Sequence, residues 1–196
     1  MTKHFSSIAI AAVLTLTAGA SQADPAQYKL SPSHTSLFFT VGHIGYADTL
    51  GRFGDVEGTF TYDLDTQELS DVAVTIQADS LMTWHDRRDR HVLSKDFLDE
   101  ANHPEITFTA AGGTAKSANS GTVTGDLTIL GKTLPVTLNV TLNKAAPYPF
   151  GAREFVLGLS MDTTISRSEW GMTYGVDNGL VGDEVAIRIE TEAVQQ

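Results

Sequence analysis

From Gln27 onward, apolar residues recur at every second position along most of the chain. Leu37, Phe39 and Val41 alternate, as do Phe60 and Tyr62, then Val72, Val74 and Ile76, then Ile106, Phe108 and Ala110. The pattern returns in Val123, Leu127 and Ile129, runs through Leu134, Val136, Leu138, Val140 and Leu142, and continues in Phe155, Leu157, Leu159 and Met161 before ending with Val185, Ile187 and Ile189. A two-residue period belongs to a strand with one apolar and one polar face. Eight or more such strands can be counted, separated by segments that tolerate positive φ: Ala111-Gly112-Gly113, Asn119-Ser120-Gly121, Leu130-Gly131-Lys132 and Val181-Gly182-Asp183-Glu184. Short strands joined this way predict an all-β, antiparallel barrel or sandwich. A parallel sheet would need a crossover helix between strands, and one short helical segment is all the sequence offers. It is expected near residues 83–98, where Thr83 and Asp86 form a possible capping box. The stretch Ala145–Pro149 reads as a hairpin loop, because proline cannot donate to a central ladder.

The first 23 residues follow another pattern. Lys3 precedes the apolar stretch Ile8–Leu16, which ends in Ala20-Ser21-Gln22-Ala23. A positive start, an apolar core and a small-residue end make a secretory signal peptide, so residues 1–23 are expected to be removed and residues 24–196 to fold as a single domain exported to the periplasm. No apolar run beyond the signal is long enough to span a bilayer as a helix, and no integral membrane segment is expected there.

Charge narrows the partners. Cutting after Ala23 removes Lys3 and no acid, leaving a net charge of −12. Such a surface repels phosphate backbones, so no nucleic-acid partner is expected. The chain has no cysteine, which rules out disulfides and thiolate metal sites in an exported protein that could otherwise use them.

Signals for chemistry are sparse. His85 and His91 are six residues apart, a spacing that on a helix turns the two rings about 120° from each other, unlike the one-turn spacing of helical zinc motifs. No metal or other cofactor is expected. There is no Gly-x-Ser-x-Gly elbow, P-loop or dinucleotide fingerprint, and no catalytic residue is assigned. His34 and His43 bracket a strand nine residues apart, so a regular strand would send one of them inward, as a satisfied core group or as a contact to a ligand head group. An eight-stranded barrel has an interior either filled by side chains or able to hold one small ligand. Its Phe, Leu, Ile and Val lining fits both a hydrocarbon tail and a packed core.

Six ordered segments resemble the YceI-like proteins, a family of exported polyisoprenoid-binding proteins with an extended lipocalin-like barrel. They are Tyr28 to Ser36, Phe39-Thr40-Val41-Gly42-His43 through Gly51-Arg52-Phe53, Asp89 to Leu98, His103 to Phe108, Gly125 to Ile129, and Ile165 to Met172. The chain departs from that pattern at Leu134, where a basic residue is usual, at Ser166 in place of Asn, and at Glu169 and Trp170 in place of Asp and Phe. The resemblance implies non-covalent binding, with transport or storage, of an isoprenoid or other long-chain amphiphile in the lumen. Phe39, Phe60, Phe108, Leu127, Phe155 and Leu157 are the expected tail contacts, and His34, His43 and Arg167 the expected head-group contacts. An enzyme holding a hydrophobic substrate in the same barrel is the alternative.

Overall fold

A computed structural model describes residues 24–196; the expected signal segment lies outside the described residues. Twelve strands form one sheet: β1 (Ala26–Leu30), β2 (Ser36–His43), β3 (Ala47–Phe53), β4 (Val56–Tyr62), β5 (Leu69–Gln77), β6 (Leu81–Met82), β7 (Glu105–Ala110), β8 (Thr114–Ser117), β9 (Ser120–Ile129), β10 (Lys132–Pro147), β11 (Phe155–Ser166) and β12 (Val181–Gln195). All pairings are antiparallel, and eight strands close on themselves in the order β1-β4-β5-β7-β9-β10-β11-β12, with β12 returning to β1. The expected barrel is present.

Closure depends on the length of β12. Its last residues pair with β1, through Ala193↔Leu30 and Gln195↔Tyr28, while its first ten pair with β2 from Val181↔His43 to Glu190↔Ser36. Strands β2, β3 and β6 therefore extend the wall at one end as a wing. Close packing there depends on a glycine: a Cβ on Gly51 would come within 2.1 Å of Phe39 Cζ, so the Phe39 ring can lie flat across β3 only because Gly51 has no side chain.

Two turn expectations are corrected. Residues 181–184 do not form a turn; they open β12 and hold a bulge, because the four-residue step from Val181 to Val185 opposes the two-residue step from His43 to Val41. The hairpin loop begins later than expected, since β10 runs on to Pro147, paired with Phe155. Pro135 sits inside β10 without disrupting the sheet because β11 joins β10 only from Asn139 onward, so the missing N–H faces no partner strand.

Helix α1 (Asp86–Val92) is shorter than the expected segment and is not capped by Thr83. His85 is the N-cap, its Nδ1 accepting from the Arg88 N–H at 3.3 Å. Thr83 instead donates its backbone N–H (2.8 Å) and its hydroxyl to the Asp89 carboxylate inside the helix. From Leu93 to His103 the chain continues in successive turns that bring Phe97 and Leu98 into the core.

Candidate ligand-binding site

The inward faces of the strands meet in two different ways. At one end, here called the floor, Phe53, Leu81, Leu98, Ile106, Ile129, Ile165, Trp170 and Met172 pack into a continuous buried cluster. Trp170 Nε1 donates to the Leu127 carbonyl at 3.2 Å, a bond that the Phe usual at this position could not make. Above the floor the wall encloses a cavity of about 220 Å³ that opens toward the opposite end. An apolar hole of roughly 150 Å³ is already enough to stay dry and bind benzene.

Val56, Phe60, Val74, Phe108, Leu127, Val136, Leu138, Leu157, Leu159 and Ile189 contribute to the cavity wall, and none of the lining residues is Asp, Glu, Lys, Arg or His. Several wall residues, among them Phe60, Val74, Leu138, Leu159, Met161 and Ile189, are only half-buried although they point inward. They face open space.

Polar groups gather at the rim, where Gln67, Asn119, Ser120 and Thr122 join the lining. The β4–β5 turn is fixed by buried Asp63, whose Oδ1 accepts the N–H groups of Asp65 (2.8 Å) and Thr66 (2.9 Å). That turn places Gln67 at φ +60°, from which its amide donates across the rim to the carbonyls of Ser117 (3.2 Å) and Ala118 (3.1 Å) in the β8–β9 hairpin. On its other flank the hairpin is held by the Leu142 N–H, which donates to the Asn119 carbonyl at 2.9 Å. Burial pushes the Tyr62 phenol above its ordinary range, opposed by its hydrogen bond with Gln67. The rim lining is therefore polar and uncharged, with the Asp63 carboxylate buried behind it in the turn.

Four of the six expected tail residues, Phe60, Phe108, Leu127 and Leu157, line this cavity. Phe39 lies in the wing over Gly51, its ring 5.8 Å from that of Phe53. Phe155 stands at the start of β11, opposite Pro147. Neither is part of the lining.

None of the expected head-group residues lines the cavity, and the three do not come together. His34 is in a short 3-10 turn that precedes β2, so strand parity does not govern it; its Nδ1 lies 3.0 Å from Ser31 Oγ and 3.5 Å from Glu192 Oε2. His43 is exposed at the end of β2. Arg167 is 3 % exposed beneath the floor, where its guanidinium donates to four backbone carbonyls: Nε to Gly182 (2.7 Å), Nη1 to Met172 (2.6 Å), and Nη2 to Tyr174 (2.8 Å) and Val181 (3.0 Å). The Phe97 ring covers it at 5.5 Å. Burial lowers the Arg167 pKa and the Asp183 carboxylate opposes that shift, but a guanidinium remains charged throughout the physiological range.

The sequence reading missed the rim. Gln67 and Asn119 sit in turns where such residues are ordinary, and only the cross-rim bonds of Gln67 distinguish it.

A family model of the YceI-like domain matches residues 28–193. The chain belongs to the YceI-like family. Among its relatives, the UPF0312 protein of Pseudomonas putida (strain W619) is 33% identical over 196 residues, covering 99% of this chain and 98% of the relative. A UPF0312 protein of Pseudomonas savastanoi pv. phaseolicola is 34% identical over 168 residues, covering 85% and 86%. Among solved structures, the YceI protein of Campylobacter jejuni superposes with a TM-score of 0.72 at 25% identity, covering 79% of this chain and 90% of that one. A polyisoprenoid-binding domain from Saccharophagus degradans shares the fold at TM-score 0.62 and 15% identity, covering 86% and 98%. Among the described residues of this YceI-like chain, no helix is long and apolar enough to cross a membrane.

Proposed function

We propose that this YceI-like protein is exported and binds an isoprenoid or similar long-chain amphiphile non-covalently in its lumen, for transport or storage. The tail lies among Phe60, Phe108, Leu127 and Leu159, and the head group rests at the rim beside Gln67, Asn119 and Ser120. The observation that carries this reading is an uncharged, apolar cavity that is sealed at the floor and edged with neutral hydrogen-bonding groups at its opening. Each five-carbon isoprene unit transferred from water contributes roughly 4 kcal/mol gross at about 0.8 kcal/mol per carbon. Ordering of the tail and desolvation of the head offset part of that.

Binding is favoured over turnover because the lining hydroxyls of Tyr62, Thr114, Ser120, Thr122 and Thr163 have no His, Asp, Glu, Lys or Cys among the lining residues to activate them. The polyisoprenoid-binding description of a protein with the same fold points the same way.

Native mass spectrometry of the protein purified from the organism that encodes it tests the proposal. A stoichiometric, extractable amphiphile is the expected result. Protein that is reproducibly empty, and that takes up no added isoprenoid alcohol, overturns it.

A further inference from the structure

The turns that edge the cavity differ in charge from one side of the opening to the other. Residues 62–72, from Tyr62 through the β4–β5 turn into β5, hold Asp63, Asp65, Glu68 and Asp71 and no Lys or Arg. Across the opening, residues 113–123 hold one cation, Lys116, and no acid. Asp63 is 4 % exposed and directly follows Tyr62, which lines the cavity. Its charge is felt there: burial raises the Tyr62 phenol pKa, and the Asp63 carboxylate raises it further.

The cations of the strands and turns around this opening stand outside the lining. Lys29 on β1, Lys116 on β8, Lys144 on β10 and Arg153 in the β10–β11 turn are all exposed. Lys29 alternates with buried Tyr28 and Leu30, and Lys144 pairs with Gly158, which alternates with the lining residues Leu157 and Leu159, so both point outward. What the rim offers a ligand is neutral. The Asn119 side-chain oxygen accepts from Ser117 Oγ at 3.1 Å, leaving its NH2 free among the described residues, and the hydroxyls of Thr114 and Thr122 belong to the same lining.

We infer that the head group taken at this rim is uncharged and carries a hydrogen-bond-accepting oxygen, an alcohol or a carbonyl, and that phosphorylated isoprenoids are excluded, a specificity that rests on the reading of the lumen as an isoprenoid site. A bound phosphate is ordinarily met by Arg or Lys or by a helix N-terminus, and the lining supplies neither. Taking a charged head out of water costs far more than taking an alcohol, unless a counter-charge replaces the lost water. Beside Tyr62 a diphosphate would face the Asp63 carboxylate instead. An alcohol or carbonyl oxygen exchanges its water for the Asn119 amide or a threonine hydroxyl at little cost.

The test loads delipidated protein with a fluorescent isoprenoid analogue and displaces it with farnesol, farnesyl acetate or farnesyl diphosphate, which share one tail and differ at the head. Farnesol and farnesyl acetate should displace the analogue alike. The diphosphate should compete at least about tenfold more weakly, since juxtaposed like charges cost more than that factor. Added salt should narrow the gap. Asp63→Asn keeps a side-chain oxygen for the Asp65 and Thr66 N–H groups and removes the charge, so it should narrow the gap as well. Glu68→Lys, at an exposed position outside the cavity lining, should do the same without touching that turn's buried acceptor. Unchanged thermal melting confirms that the variants fold. A diphosphate that competes as well as farnesol would overturn the inference and leave the lumen reading standing, and its loss in Lys116→Gln would name the cation responsible. A preference for farnesol that neither variant narrows would overturn it too. Failure of the analogue and of all three ligands to bind would overturn the lumen reading, and the inference with it.

Discussion

Floor and lumen are walled by the same strands with the same alternating residues, yet one is solid and the other hollow. On β9, Ile129 is 6 % exposed at the floor while Val123 near the rim is half-buried; on β11 the same contrast separates Ile165 from Met161. Strand chemistry does not make this difference. Side chains delivered from outside the strands do: Leu98 from the turns after α1, Trp170 from a 3-10 turn, and Met172 just beyond it enter the floor, and among the described residues no such segment fills the upper half. An eight-stranded barrel has a radius at which its own side chains barely fill the centre, so a few inserted residues decide whether it packs or stays open.

The comparison makes Arg167 the most sensitive position in the protein. Its guanidinium gathers four carbonyls from the loop and strand that carry Met172, Tyr174 and the start of β12, and removing it leaves them without donors in a buried place. An unsatisfied buried acceptor costs about 1 to 3 kcal/mol, so Arg167→Ala should lose more than about 3 kcal/mol in total. At roughly 2 to 4 °C per kcal/mol for a chain of this size, the melting temperature should fall by about 10 °C. Lysine keeps the charge but not the fork of donors, so Arg167→Lys should recover little. Calorimetry decides; an Arg167→Ala protein as stable as the parent would mean that the floor does not depend on this clamp.

A pair of substitutions on one strand contrasts packing with open space directly. Leu157 lines the cavity but is 1 % exposed, wedged opposite fully buried Ala193, whereas Leu159, two residues on and facing the same way, is half-buried. Leu157→Trp should cost about 1 to 3 kcal/mol through overpacking. Leu159→Trp should leave the melting temperature of delipidated protein nearly unchanged while abolishing retention of an extracted isoprenoid. Equal destabilisation by both would mean that the lumen is packed in solution.

What the sequence revealed followed from periodicity. Eight strands with one inward face are written in alternating residues, and the four expected tail residues that line the cavity lie on those faces. Phe39 obeys the same alternation but belongs to the wing, because β12 changes partner from β1 to β2 part-way along, and that exchange leaves no local mark. The floor was hidden for a similar reason, since Trp170 and Met172 lie in a stretch without period and act through contacts with distant strands. Arg167 was expected, from the family resemblance, to contact a head group, but only the fold shows that its partners are backbone carbonyls. The rim was illegible because turn-forming residues look alike whether or not they edge a cavity.

The smallest expected effect lies at the rim. The β8–β9 hairpin adds Thr114, Ala115, Ala118 and Asn119 to the lining, and β8 has no strand on its outer side. β9 anchors the hairpin to β10 up to Ser120↔Thr141, a ladder that the Leu142 N–H extends to the Asn119 carbonyl, and across the opening its tip is tied by two side-chain bonds from Gln67. Losing the two exposed Gln67 bonds should cost about 1 kcal/mol or less, since each was exchanged for water on folding. The kinetic effect should be larger, because a tail cannot leave a sealed-floor barrel without passing this hairpin. Gln67→Ala should therefore release a bound fluorescent isoprenoid analogue several times faster than the parent, with the melting temperature of the empty protein barely moved. Gln67→Glu separates the hairpin latch from simple polarity: its carboxylate cannot donate to the Ser117 and Ala118 carbonyls, so it should release the analogue as fast as the alanine variant although the rim stays polar. Release at the parent rate from both variants would show that the hairpin is not the exit, and the opening would then have to be sought where β10 and β11 part below Asn139.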